Sequence, residues 1–141
     1  IVLPGSMGVT EAGMIVGAAA LDLPWTFHLI SVEYDAATLL RRVSDLSNDL
    51  ARHVNFAPRE EMLSRVRIDA TQLGAGYGIP TDASLRAASE FERYEALVLE
   101  QTYVAKTFAG LLSHVERGTI PREEAICILH TGGTPSIFEQ S

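Results

Sequence analysis

The opening stretch, IVLPGSMGVTEAGMIVGAAA, joins a strand to a helix through a turn holding two glycines, and this junction limits the fold more than any other feature. Ile1 to Leu3 reads as the end of a buried strand. A loop follows at residues 5–10, and a small-residue helix runs from about Glu11 to Leu21, where Leu23-Pro24 ends it. The same order then recurs. WTFHLISVE, residues 25–33, alternates and is rich in β-formers. Asp35 is the expected N-cap of the next helix, whose apolar residues Leu39, Val43, Leu46, Leu50 and Val54 step by three and four. Strands that alternate with helices lie parallel and are covered on both sides. The expected fold is α/β: a three-layer parallel sheet with helices on both faces.

The rest of the chain continues the alternation. Residues 55–64 are polar, include Pro58 and read as a connection or a short helical turn, and RVRID is a short strand. GAGYGIPT, residues 74–81, is a loop whose Thr81 caps a helix to about Tyr94, with Leu85, Ala88 and Phe91 facing inward. EALVLE, residues 95–100, reads as a short buried strand. A helix from about Thr102 places Ala105, Phe108, Leu112 and Val115 on one face and stops at Arg117-Gly118, with Pro121 beyond. AICILH, residues 125–130, reads as the last strand, with Cys127 in the core and His130 buried before a glycine turn. TGGTPSIF then leads into a short terminal helix.

A chain of 141 residues is long enough for one domain with its own core. Its net charge of −7 argues against nucleic acid, since phosphate backbones need a cationic surface. The arginines are scattered, so no membrane-binding patch is present, and the longest apolar run, Met14 to Leu21, is too short to span a bilayer. The single cysteine, Cys127, excludes an internal disulfide. His28, His53, His114 and His130 lack ligand spacing, so no metal site is expected. The start inside a strand, without an initiator methionine, reads as a chain cut from something longer, and the cytoplasm is the default compartment.

Amides of a first helical turn have no intrahelical partner and carry partial positive charge, and glycines let an anion approach them. GSMGVTEAG therefore reads as a phosphate cradle, with N–H groups around Met7 to Thr10 and hydroxyls from Ser6 or Thr10; an empty strand-to-helix turn is the alternative. No lysine follows, so a Walker loop is excluded. The glycines are spaced G-x-x-G-x-x-x-x-G, unlike a dinucleotide fingerprint, although Glu33 at the end of the second strand keeps a ribose-binding reading open.

Three further blocks, GAGYGIPT, EQTYVAKTFAGLL and ILHTGGTPSIF, follow GSMGVTEAG in order. Together they resemble the C-terminal portion of the pyridoxal-phosphate-dependent D-cysteine desulfhydrase and 1-aminocyclopropane-1-carboxylate (ACC) deaminase family, of tryptophan-synthase-β-like fold, over nearly the whole chain. The resemblance implies pyridoxal 5′-phosphate as cofactor, with its phosphate in the cradle of Ser6, Met7, Gly8, Val9 and Thr10. It implies that Tyr77 and Tyr103 are the active-site tyrosines and that the Thr131 hydroxyl faces the pyridine nitrogen. Deaminases resemble Y-E-G-K and H-L-G-G where this chain has YVAK and HTGG. Val104 cannot pair with that nitrogen and Thr131 can, which favours the desulfhydrase-like branch. The family's D-P-V-Y is EQTY here, Ala105 replaces a glycine, and Met7 and Val9 stand for smaller or polar residues, which leaves the substrate open.

This chemistry needs a lysine to carry the cofactor and move the substrate's α-proton. The one lysine, Lys106, matches a non-catalytic position of the family. The resemblance thus implies that residues 1–141 are one partial domain whose cofactor lysine lies in a missing N-terminal half, that the fragment alone is inactive, and that the full protein is a homodimer acting on a small amino acid. A non-catalytic α/β module binding a nucleotide or a phosphorylated ligand is the alternative from another class.

Overall fold

The computed structural model describes residues 1–57 and 60–133. Strands β1 (Val2–Gly5), β2 (Phe27–Ser31) and β3 (Val66–Asp69) form one parallel sheet in the order β1-β2-β3. In register, Leu3 lies beside Leu29, and Val2 beside His28. Successive strand side chains point to opposite faces, so this register sorts the core into two layers. Leu3 and Leu29 meet Ile15 and Val16 of α1 (Val9–Ala20) and Leu39 and Val43 of α2 (Ala36–His53). Val2 and Ile30 instead meet Leu111 of α4 (Val104–Glu116), with Ile120. Helices therefore cover both faces, and the three-layer α/β fold is the one observed.

Gly110 lets α4 sit low on the sheet: a Cβ there would stand 2.8 Å from the Ile30 side chain. Helix α3 (Asp82–Glu95) packs on α4, with the Phe91 and Phe108 rings edge to face at 4.7 Å. The helix starts follow their caps. Asp35 accepts the Thr38 N–H at 2.9 Å, and Thr81 and Ser84 form a reciprocal capping box. No described helix is long and apolar enough to cross a membrane.

Several local expectations are corrected. Helix α1 starts at Val9 and β2 at Phe27, whereas the 3₁₀ turn at Glu60–Leu63 is the short helical turn expected within residues 55–64. Residues 95–100 form no strand. Helix α3 continues through Glu95, Ala96 ends it in a left-handed conformation (φ 54°), and Leu97 and Val98 are exposed, which leaves too few residues to form a ladder. AICILH is not a full strand either: it makes a single bridge, Ile128 to Val2, along the outer edge of β1. Cys127 and His130 are consequently exposed rather than buried. On α3, Ala88 and Phe91 face inward as expected and Leu85 faces solvent, while the deepest residues are Ser84 and Ala87, whose small size admits α4. In α2 the deepest residues are Leu39, Val43, Ser47 and Ala51, and Val54 is exposed beyond the helix. The expected terminal helix lies largely outside the described residues.

Beneath α4, His28 sits with its ring centroid 5.6 Å from that of His114, whose Nε2 is 3.0 Å from Asp69 Oδ2. Burial, then the positive groups around it, His114 and Arg67 among them, push the His28 pKa down from 6.5 to about 4. Its folded pKa is depressed, so the unfolded chain binds the proton more readily. The contribution of neutral His28 to stability is complete above pH 6.5 and is lost as pH falls from there towards 4. Urea midpoints at pH 7.5 and pH 5 should fall with acidification, and less steeply in His28→Asn. Equal slopes would contradict the assignment.

Candidate functional site

The carboxyl ends of the strands form a rim where ligands bind in sheets of this kind. The GSMG turn leaves β1 there and enters α1 through Gly8, the N-cap, at φ 94° and ψ −5°. That conformation favours glycine, and a Cβ would also meet Leu46 at 2.9 Å. Among the described residues, no side chain accepts a hydrogen bond from the first-turn amides of α1. The first helical bond runs from Ala12 N–H to the Gly8 carbonyl, so the amides of Val9, Thr10 and Glu11 precede the intrahelical ladder. Ser6 is already engaged: its N–H donates to Glu11 Oε1 at 2.9 Å and its hydroxyl donates to Glu33 Oε2. Glu33 thereby closes the turn.

A cavity of about 210 Å³ lies over this turn, lined by Pro4, residues 6–11, Tyr103 and Thr131. It holds Ser6, Met7, Gly8, Val9, Thr10, Tyr103 and Thr131, from three separate parts of the sequence. Tyr77 lines none of it, but its hydroxyl is hydrogen-bonded to that of Tyr103 and the two rings meet edge to face. This bond, with burial behind it, pushes the Tyr103 pKa up to about 12, so the phenol keeps its proton at neutral pH. Thr131 arrives because residues 127–129 run alongside β1. Beyond them, the Gly132 N–H bonds to His130 Nδ1 at 3.2 Å, and Gly132 and Gly133 both have φ 93°.

Two residues whose structural role at the site sequence reasoning missed, Glu100 and Lys106, hold this arrangement. Glu100 is buried, and its carboxylate accepts the N–H groups of Thr102, Tyr103 and Val104, each at 2.7 Å. It caps α4 from outside the helix, and a Cβ on Gly133 would fall 2.1 Å from its Cγ. Its signal was faint, because Ser, Thr, Asp and Asn are the usual caps. Lys106 is fully buried, and its Nζ donates to the carbonyls of Leu73 at 2.8 Å and Gly76 at 2.9 Å. It does not line the cavity.

No protein-family model matches the chain. Among solved structures it matches one described as an ACC deaminase homologue, with a TM-score of 0.78 and 22% sequence identity. The chain shares that protein's fold. The match covers 94% of this chain and 38% of the other, so the chain spans well under half of that structure's length.

Glu100→Ala should cost about 2 kcal/mol, because three amides at and just before the start of α4 lose a charged acceptor. Urea denaturation measures the loss, and hydrogen exchange should show it concentrated at residues 102–104. An unchanged midpoint would refute the capping role.

Proposed function

We propose that this chain is the phosphate-holding part of a pyridoxal-5′-phosphate-dependent lyase of the D-cysteine desulfhydrase type. The observation that carries the reading is a contrast between helix starts. The first turns of α2, α3 and α4 have side-chain acceptors in Asp35, Thr81 and Glu100, whereas α1 has none among the described residues and opens into the cavity. Such a turn favours an anion, and the left-handed Gly8 keeps the approach clear. At about 210 Å³ the cavity is smaller than the roughly 300 Å³ at which small-molecule sites begin, which suits a chain holding only part of a ligand. The fold shared with the ACC deaminase homologue and the four ordered sequence blocks support the same reading.

The residues fit the group. The amides of Val9 and Thr10, with the Thr10 hydroxyl, would hold the phosphate. The Thr131 hydroxyl would face the pyridine nitrogen as a neutral partner. When bound, pyridoxal 5′-phosphate supplies an electron sink for bond cleavage at the α-carbon of an amino acid. Tyr103, which keeps its proton at neutral pH, is suited to donate a hydrogen bond or a proton to a substrate or leaving group, with Tyr77 orienting its hydroxyl. The overall reaction converts D-cysteine and water to pyruvate, ammonia and sulfide. A neutral ring partner suits expulsion of a thiolate better than opening of a cyclopropane, and Val104 is buried and apolar where deaminases carry an acid.

Lys106 is occupied by two carbonyls away from the cavity, so the lysine that carries the cofactor is proposed to come from outside this chain. Borohydride treatment with pyridoxal 5′-phosphate should leave Lys106 unmodified by peptide mass, and a stoichiometric adduct there would overturn this arrangement. The protein that joins this chain to its cofactor lysine should release sulfide from D-cysteine. Turnover of 1-aminocyclopropane-1-carboxylate in its place would select the deaminase.

A further inference from the structure

The loop that carries Tyr77 has little of its own to define its shape. Residues 70–80 join β3 to α3 without regular structure, and Gly74, Gly76 and Gly78 all have positive φ. Three glycines enlarge the set of conformations that such a loop can sample. Yet the Tyr77 hydroxyl meets that of Tyr103, a residue 26 positions away at the start of α4. Lys106, on the first turn of α4, also joins loop and helix: its nitrogen donates to the Leu73 and Gly76 carbonyls on the N-terminal side of Tyr77.

We infer that Lys106 is a positioning residue, which draws the Leu73 and Gly76 carbonyls onto α4 and so sets the Tyr77 hydroxyl against Tyr103 beside the cavity. A lysine suits this task because it has several donors, no acceptor and a slender stem. A fully buried methionine could fill the same volume, but both carbonyls would lose a donor. Burial lowers the Lys106 pKa, in keeping with a nitrogen held by neutral carbonyls. Tyr103 and Lys106 thus leave α4 one turn apart, one bearing a hydroxyl of the site and the other fixing the loop that brings the second hydroxyl. The catalytic consequence rests on the function proposed above: without the brace, Tyr77 would no longer orient Tyr103.

The test needs no cofactor. In the isotopically labelled chain, proton cross-peaks are expected between the Tyr77 and Tyr103 rings, whose centroids are 5.7 Å apart, and between Phe91 and Phe108 at 4.7 Å. Lys106→Met should abolish the tyrosine cross-peak, keep the phenylalanine one and speed amide exchange at Ile79, whose N–H donates to the Gly76 carbonyl at 3.3 Å, roughly tenfold or more, the order set by one hydrogen bond to a charged donor. An unchanged tyrosine cross-peak with unchanged exchange would overturn the inference. So would loss of both ring pairs together, which would make Lys106 a general support of the α3–α4 contact. If Lys106→Met does not fold, Lys106→Gln, with a shorter stem and two N–H donors, is read by the same two ring pairs. Failure of pyridoxal 5′-phosphate to bind would refute the proposed activity without altering this comparison.

Discussion

The buried carboxylate of Glu100 is the interaction on which the rim depends. Burying it without partners would be costly, and it avoids that cost by accepting three amides from the start of α4. Those bonds satisfy donors that a helix start leaves open and place negative charge at the positive end of the helix dipole. They also fix where α4 begins, and with it Tyr103, Lys106 and Gly110. From that origin Gly110 seats the helix on Ile30, Lys106 takes hold of the loop after β3, and the close packing of Gly133 on Glu100 brings in the turn that carries Thr131. One carboxylate thus sets three parts of the rim in register.

The same principle, read in reverse, distinguishes α1. Both α1 and α4 start beside one cavity, through residues 8–11 and Tyr103. Glu100 neutralises the start of α4, whereas α1 begins at a glycine with no side-chain acceptor among the described residues. Glu11 and Glu33 lie close by, but both turn to Ser6, outside the helix. Of the two helix starts, α1 is therefore the one that would favour the anion of the proposed function, which would leave Tyr103 free of that duty. The phenol pairs with Tyr77 and retains its proton.

The layered fold was legible in the sequence because its strongest signals were local. Asp35 and Thr81 sit at helix starts as their chemistry requires, and β1, β2 and β3 coincide with runs read as strands. The errors came where a short apolar run had to be assigned without knowledge of its neighbours. EALVLE and AICILH have the composition of strands, but α3 absorbs the start of one and the other lies along an edge with only one bridge. The convergence of residues 6–10, Tyr103 and Thr131 was reachable only through resemblance, since nothing in their spacing brings them together. The Glu100 cap and the Lys106 brace depend on contacts between distant backbone groups. No periodicity encodes those contacts.

The central claim is that the uncapped start of α1 binds the phosphate of the cofactor. The most direct measurement compares pyridoxal 5′-phosphate with pyridoxal by titration calorimetry and by amide chemical shifts of the labelled chain. The account predicts that the phosphorylated compound binds at least roughly tenfold more tightly, the step that 1.4 kcal/mol of added interaction would give. It also predicts that the largest shifts fall on Val9, Thr10 and Glu11. Equal affinities, or shifts centred elsewhere, would contradict it.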